Sequence, residues 1–172
     1  MKIVSFAGSS EEPSASHARR IVELVDALAS ECCTDRVALA FGGYWGAMKI
    51  AIDRALERGF TVLIFPPVEK EHFPFPERAI VVRTGASYRV RSVFLVRSGD
   101  ILIALGGASG TIQEIITAYC EAKPILILRS GLDSDRLEAL APYIDRRGLA
   151  ELRFFDDPRD LAREVAKILG VR

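Results

Sequence analysis

Short apolar runs rich in β-branched residues alternate along the chain with stretches whose apolar positions recur every three to four residues. These are the signatures of buried strands and amphipathic helices. Lys2–Ala7 predicts a first strand, and Ser14–Ser30 a helix with Ile21, Leu24, Val25 and Leu28 on one face. Val37–Phe41 predicts a second strand that runs into Gly42-Gly43. A helix from about Trp45 to Arg58 follows, then a third strand, Phe60–Phe65, stopped by Pro66-Pro67. The segment Val68–Glu77 mixes Pro, Phe and Glu and reads as an irregular excursion able to act as a lid. Beyond it the pattern predicts a short strand at Ala79–Val82, a helix from about Ser87 to Arg97, the strand Ile101–Leu105 and a helix Thr111–Glu121. The strand Pro124–Leu128, a helix near Asp133–Ile144, the strand Leu152–Phe155 and a helix near Pro158–Leu169 complete the chain.

Ile101–Leu105 and Ile125–Leu128 are apolar at every position, which requires cover on both faces and therefore a parallel sheet between helix layers. Right-handed crossovers then give a single Rossmann-like, doubly wound α/β domain over residues 1–172, with about seven strands flanked by helices. In such a sheet ligands sit beyond the carboxyl ends of the strands, where strand order reverses.

Composition narrows the partners. With 172 residues, 49% of them apolar, the chain can bury a substantial core, and 23 basic residues balance 23 acidic ones. A chain with no net charge has no global field to recruit nucleic acid or a membrane surface, so the expected partner is a small, individually recognised ligand. The opening Met1–Gly8 is too short an apolar run for a signal peptide, which makes a cytoplasmic protein the expectation. Cys32, Cys33 and Cys120 lack metal-ligand spacing, and His17 and His72 lie far apart, so no metal site is expected. The predicted helix Ser14–Ser30 places His17 on its surface.

Three strand ends carry glycine turns: Gly8-Ser9-Ser10, Gly42-Gly43 with Gly46, and Gly106-Gly107 with Gly110. In a parallel sheet all three open onto one edge, where backbone N–H groups and helix dipoles converge on a site suited to an anion. Glycine also serves sharp reversal alone, and that reading stays open for each turn. The third turn adds the hydroxyls of Ser109 and Thr111, and it matches neither G-x-x-x-x-G-K-[ST] nor G-x-G-x-x-G. The N–H groups of Gly107, Gly110 and Thr111, with the Thr111 hydroxyl, form the expected phosphate cradle. Glu114 lies three residues after Thr111, the spacing of a capping box, and also the place for a carboxylate facing a sugar beyond the phosphate. Arg91 is its natural companion, in a stretch that also carries Arg83, Arg89 and Arg97. Tyr44, Trp45 and Met48 follow the second turn, where stacking on a base and ordinary wall packing are both open.

Phe6-Ala7-Gly8-Ser9-Ser10, Gly42-Gly43 with Gly46-Ala47-Met48, and above all Arg91 through Gly106-Gly107-Ala108-Ser109-Gly110-Thr111-Ile112-Gln113-Glu114 resemble the Lonely Guy proteins, long mislabelled lysine decarboxylases. The resemblance spans most of residues 1–128. It implies a Rossmann-like fold, a homodimer or homotetramer, and hydrolysis of nucleoside 5′-monophosphates to free base and ribose 5-phosphate, with no cofactor required. It makes Arg91 and Glu114 catalytic, and gives ligand contacts to Gly8, Ser9, Ser10, Gly42, Gly43, Met48, Gly106, Gly107, Ser109, Gly110 and Thr111. The chain departs from the family signature at Gly106 (for Pro), Ala108 (for Gly) and Ser92 (for Lys after the Arg). Thr84-Gly85 and the short 42–46 turn are closer to a sister branch that includes molybdenum-cofactor carrier proteins. That branch implies instead a non-catalytic binder of a phosphorylated, pterin-type cofactor.

Overall fold

A computed structural model describes residues 1–171. The strands are β1 Lys2–Ala7, β2 Val37–Phe41, β3 Thr61–Ile64, β4 Ile80–Val81, β5 Ile101–Ala104, β6 Ile125–Leu128 and β7 Leu152–Phe155. They form one sheet in the order β4-β3-β2-β1-β5-β6-β7, parallel throughout. The helices are α1 Ala15–Glu31, α2 Gly46–Glu57, α3 Tyr88–Ser98, α4 Ser109–Cys120 and α5 Pro158–Leu169. Strand order reverses between β1 and β5. The pairings Phe6 with Phe41 and Ala7 with Ala104 bring the carboxyl ends of β2, β1 and β5 level, so their turns share one rim.

Side-chain alternation along the strands divides the core. Val4, Phe6, Leu39, Phe41, Ile101 and Ile103 face α1, α2 and α5, where Ile21, Leu24, Ile52, Leu161 and Val165 meet them. Ala7, Leu102, Ala104, Ile125 and Ile127 point the other way, onto Val96 of α3 and Ile115, Ala118 and Tyr119 of α4. Burial on both faces explains why these strands are apolar at successive positions. Local chemistry fixes the helix ends: Ser14 Oγ accepts the His17 N–H at 3.2 Å, and Asp157 Oδ1 accepts the Arg159 N–H at 2.7 Å with Pro158 in the first turn.

Two expectations are overturned. The region from Asp133 is no α-helix but a 3-10 segment, Asp133–Leu140. Its start is tied down by Asp135, whose carboxylate accepts the Ser130 and Gly131 N–H groups at 2.8 and 2.7 Å, and by Ser134, which bonds the Gly107 turn. His17 is buried rather than on a surface, with Nε2 2.6 Å from the Leu105 carbonyl. It stands one turn before Ile21 and two before Leu24, on the buried face of α1. Since a carbonyl only accepts, Nε2 carries the proton; Nδ1 has no partner among the described residues. His72 is exposed in the excursion after β3, and no group of three or more His, Cys, Asp or Glu among the described residues is placed to hold a metal. Nor is any described helix long and apolar enough to cross a membrane.

Candidate functional site

The three glycine turns meet at the rim around a cavity of about 420 Å³, a volume suited to a nucleotide-sized ligand. Ser9 N–H donates to the Gly106 carbonyl at 2.9 Å and Ala47 N–H donates to the Ser9 carbonyl at 3.1 Å, so the β1 turn is laced to the turns on both sides. Gly46, at φ +53°, allows this approach: a Cβ there would lie 2.4 Å from the Ser9 carbonyl oxygen.

α4 begins at Ser109, two residues earlier than its periodicity predicts, behind an Ala108 cap that supplies no side-chain bond. The first capped hydrogen bond runs from Ile112 N–H to the Ala108 carbonyl at 3.0 Å. The amides of Ser109, Gly110 and Thr111 therefore precede the helical ladder and point out of the helix start, beside the cavity wall those residues form. The Gly107 amide is engaged elsewhere, donating to Ser134 Oγ at 3.1 Å. Arg89 was only one of four arginines in the sequence pattern, yet its guanidinium stands beside this first turn, with Nη1 3.2 Å from where a Gly110 Cβ would be. It is held by Gln113, whose Nε2 donates to the Arg89 carbonyl at 2.9 Å.

The earlier helix start also removes Glu114 from capping register, placing it in the second turn. Its side chain leans back toward the helix start, as helical side chains do, and reaches Arg91 and Ser92 of α3. Arg91 Nη1 lies 3.3 Å and Ser92 Oγ 2.9 Å from Glu114 Oε1. With Arg91 6% and Glu114 5% exposed, the pair is desolvated yet still walls the cavity. Burial pushes the Glu114 carboxyl up to about 7, against the lowering pull of Arg91 and the Ser92 bond. Burial likewise lowers Arg91, opposed by the attraction of Glu114. For both groups desolvation outweighs their mutual attraction, as in most buried pairs. Ser92 Oγ also lies 3.1 Å from the Tyr88 carbonyl, and one hydroxyl proton cannot serve both acceptors. When Glu114 is ionised Ser92 donates to it; when neutral, the carboxyl can donate to Ser92, which turns to Tyr88. A proton can thus be gained or lost with the network intact.

Of the residues read from the sequence, Gly8, Ser9, Ser10, Met48, Gly107, Ser109, Gly110 and Thr111 line this cavity together with Arg91 and Glu114. Gly42, Gly43 and Gly106 stand behind the wall. A Cβ on Gly42 would lie 2.0 Å from Arg91 Nη1, and one on Gly43 2.1 Å from the Trp45 ring, so these glycines make room for those two side chains. Gly106, at φ +90°, packs on Ser130. Ser92, Trp45, Tyr88 and Leu132 complete the wall, with Glu11 and Asp133 at acidic margins. Sequence reasoning named Arg89 among the arginines and Ser92 as a departure from the family signature but gave neither a place in the site; the available signal was their position in the first turns of a helix that starts at the same rim.

A family model, the SLOG cluster4 family, matches residues 1–149. The chain belongs to the SLOG cluster4 family. That Lonely Guy-like grouping agrees with the motifs that ring the cavity. The crystal structure of TM1055, a structural-genomics target, superposes with a TM-score of 0.85 at 26% identity, covering 97% of this chain and 99% of that one. The molybdenum cofactor binding protein of Rippkaea orientalis shares the fold at a TM-score of 0.79 and 21% identity, covering 98% and 97% of the two chains. An uncharacterized protein of Archaeoglobus fulgidus is 34% identical over 89 residues, 51% of this SLOG chain and 57% of its own length. The match therefore spans little more than half of that curated relative.

Proposed function

We propose that this SLOG protein binds a nucleoside 5′-monophosphate and hydrolyses its N-glycosidic bond. The supporting observation is that the residues whose amides open α4 and the buried Arg91–Glu114 pair wall the same cavity. The phosphate sits on the Ser109–Thr111 amides beside Arg89 and anchors the ribose by its remote charge. Glu114 lies three residues on, about 4.5 Å along the helix axis, at the distance of a sugar rather than of the phosphate. Its ionised carboxylate stabilises the oxocarbenium-like C1′ and takes a proton from the attacking water. Water oxygen bonds to C1′, the C1′–N electron pair leaves with the base, and the base takes up the proton that Glu114 accepted from water, which returns the carboxylate to its ionised form. Arg91 holds Glu114 in place. The resemblance extends the proposal to a cytoplasmic homodimer or homotetramer, to which the exposed Val90 and Phe94, one turn apart on α3, lend an apolar face. Purified protein incubated with AMP, GMP, CMP and UMP should release ribose 5-phosphate, and Glu114→Ala should not; equal release by both would overturn the proposal.

A second reading, a carrier of a phosphorylated pterin-type cofactor, is favoured by the full-length likeness to the molybdenum cofactor binding protein and by Gly106 and Ala108 in the signature. It requires the same cradle but no turnover. Heat-denatured protein from its native host should then release a pterin, and the nucleotide panel should yield no ribose 5-phosphate.

A further inference from the structure

Trp45 has no role in the chemistry above, yet its place is unusually well built. It is the single tryptophan of the chain and lies half-buried in the cavity wall at the start of α2. A side chain on Gly43 would collide with the indole, at 2.1 Å from Cζ2 and 2.4 Å from Cε2, so the ring packs directly against the bare backbone there. The indole also meets Phe73 of the excursion after β3 in a T-shaped pair, centroids 6.2 Å apart and planes at 86°, and Phe73 in turn meets Phe75 at 6.3 Å. The excursion is thus a brace that holds the indole while leaving part of it to the cavity.

The order of groups along the rim matters as much as the ring. The α4 amides follow β5, the Ser9-Ser10 turn follows β1, and Trp45 follows β2, the neighbour of β1 on its other side. Cradle and indole are therefore about two strand spacings apart, ~10 Å. Arg91 lies between them in this direction, its Nη1 against Gly42 at the end of β2 and 3.3 Å from Glu114 of α4. Phosphate cradle, carboxylate, aromatic ring is the order of phosphate, sugar and base in a nucleotide.

We infer that Trp45 is the stacking platform for a planar heterocycle, so that the site discriminates in favour of flat-ringed ligands and against phosphosugars lacking a flat ring. The inference rests on the proposed phosphate cradle but can fail separately. An indole is the strongest stacking surface a side chain offers, and stacking tolerates any flat ring, so the platform admits a purine or a pterin alike.

Being the sole tryptophan, Trp45 reports on its own contacts. The probes are formycin A 5′-monophosphate, whose C–C glycosidic bond resists hydrolysis, formycin A, and ribose 5-phosphate. Formycin A 5′-monophosphate should quench the indole emission saturably, while ribose 5-phosphate binds by calorimetry without quenching. Trp45→Leu should weaken formycin A 5′-monophosphate roughly 5- to 100-fold, the range expected for one stacked base, and leave ribose 5-phosphate within about twofold. Trp45→Phe should keep most of the affinity. Undiminished nucleotide affinity in Trp45→Leu, an equal loss of both ligands, or no quenching in the wild type overturns the platform. If ribose 5-phosphate fails to bind, the cradle is overturned; quenching by formycin A would then still support the platform. Should Trp45→Leu not fold, the wild-type quenching comparison decides.

Discussion

The Arg91–Glu114 pair ties stability to proton uptake. Folded Glu114 keeps its proton up to about pH 7, whereas an unfolded glutamate releases it near 4.5. Between those values the folded state binds the extra proton, so this group's contribution falls as pH rises and levels off above 7. Glu114→Gln keeps the shape without the titration. The stability difference between wild type and Glu114→Gln should shift by on the order of 3 kcal/mol from pH 4.5 to 7.5, against wild type at high pH, in urea melts. The proposed catalysis depends on the opposite form: if ionised Glu114 acts on the sugar, kcat/KM for AMP rises with pH through about 7. Gly42 tests the pair from behind the cavity wall. A methyl there would displace the Arg91 guanidinium, costing a charge-assisted bond of about 1.5–3 kcal/mol, so Gly42→Ala should lower turnover roughly 10- to 100-fold while the chain still folds, read by ribose 5-phosphate release and circular dichroism.

At the scale of elements, the cradle is held from behind by the 3-10 segment Asp133–Leu140. Ser134 is fully buried; its Oγ accepts the Gly107 N–H at 3.1 Å and its own N–H donates to the Gly107 carbonyl at 2.9 Å. Ser134→Ala leaves a buried amide unpaired and should cost about 1–3 kcal/mol in denaturant melts, together with weaker ribose 5-phosphate binding. This contact pairs residues 27 apart, and no local pattern announces it. The central strands were legible because burial on both faces writes itself as unbroken apolar runs, as in β2, and the spans of β1, β2 and β7 coincide with those expected. The start of α4 was misplaced because Ala108 caps through backbone alone, leaving no capping residue to read.

For the molecule as a whole, seven strands in one sheet with continuous cover on both faces lead us to propose a single cooperative unit. Thermal unfolding should show one transition. Ribose 5-phosphate at 100 times its dissociation constant should add about 2.7 kcal/mol, raising the midpoint by roughly 5–10 °C, with no such rise from sulfate-free buffer alone. The sequence by itself determined the parallel α/β sheet, the rim on which its glycine turns open, and the family motif, because apolar periodicity and turn chemistry are local. Tertiary structure alone decided that Glu114 pairs with Arg91 instead of capping its helix, that His17 is buried, that Gly42 and Gly43 make space for Arg91 and Trp45 behind the cavity wall, and that Arg89 stands at the cradle. Each of these depends on which groups from distant segments share a small volume and lose their water, and spacing along a chain carries no record of that.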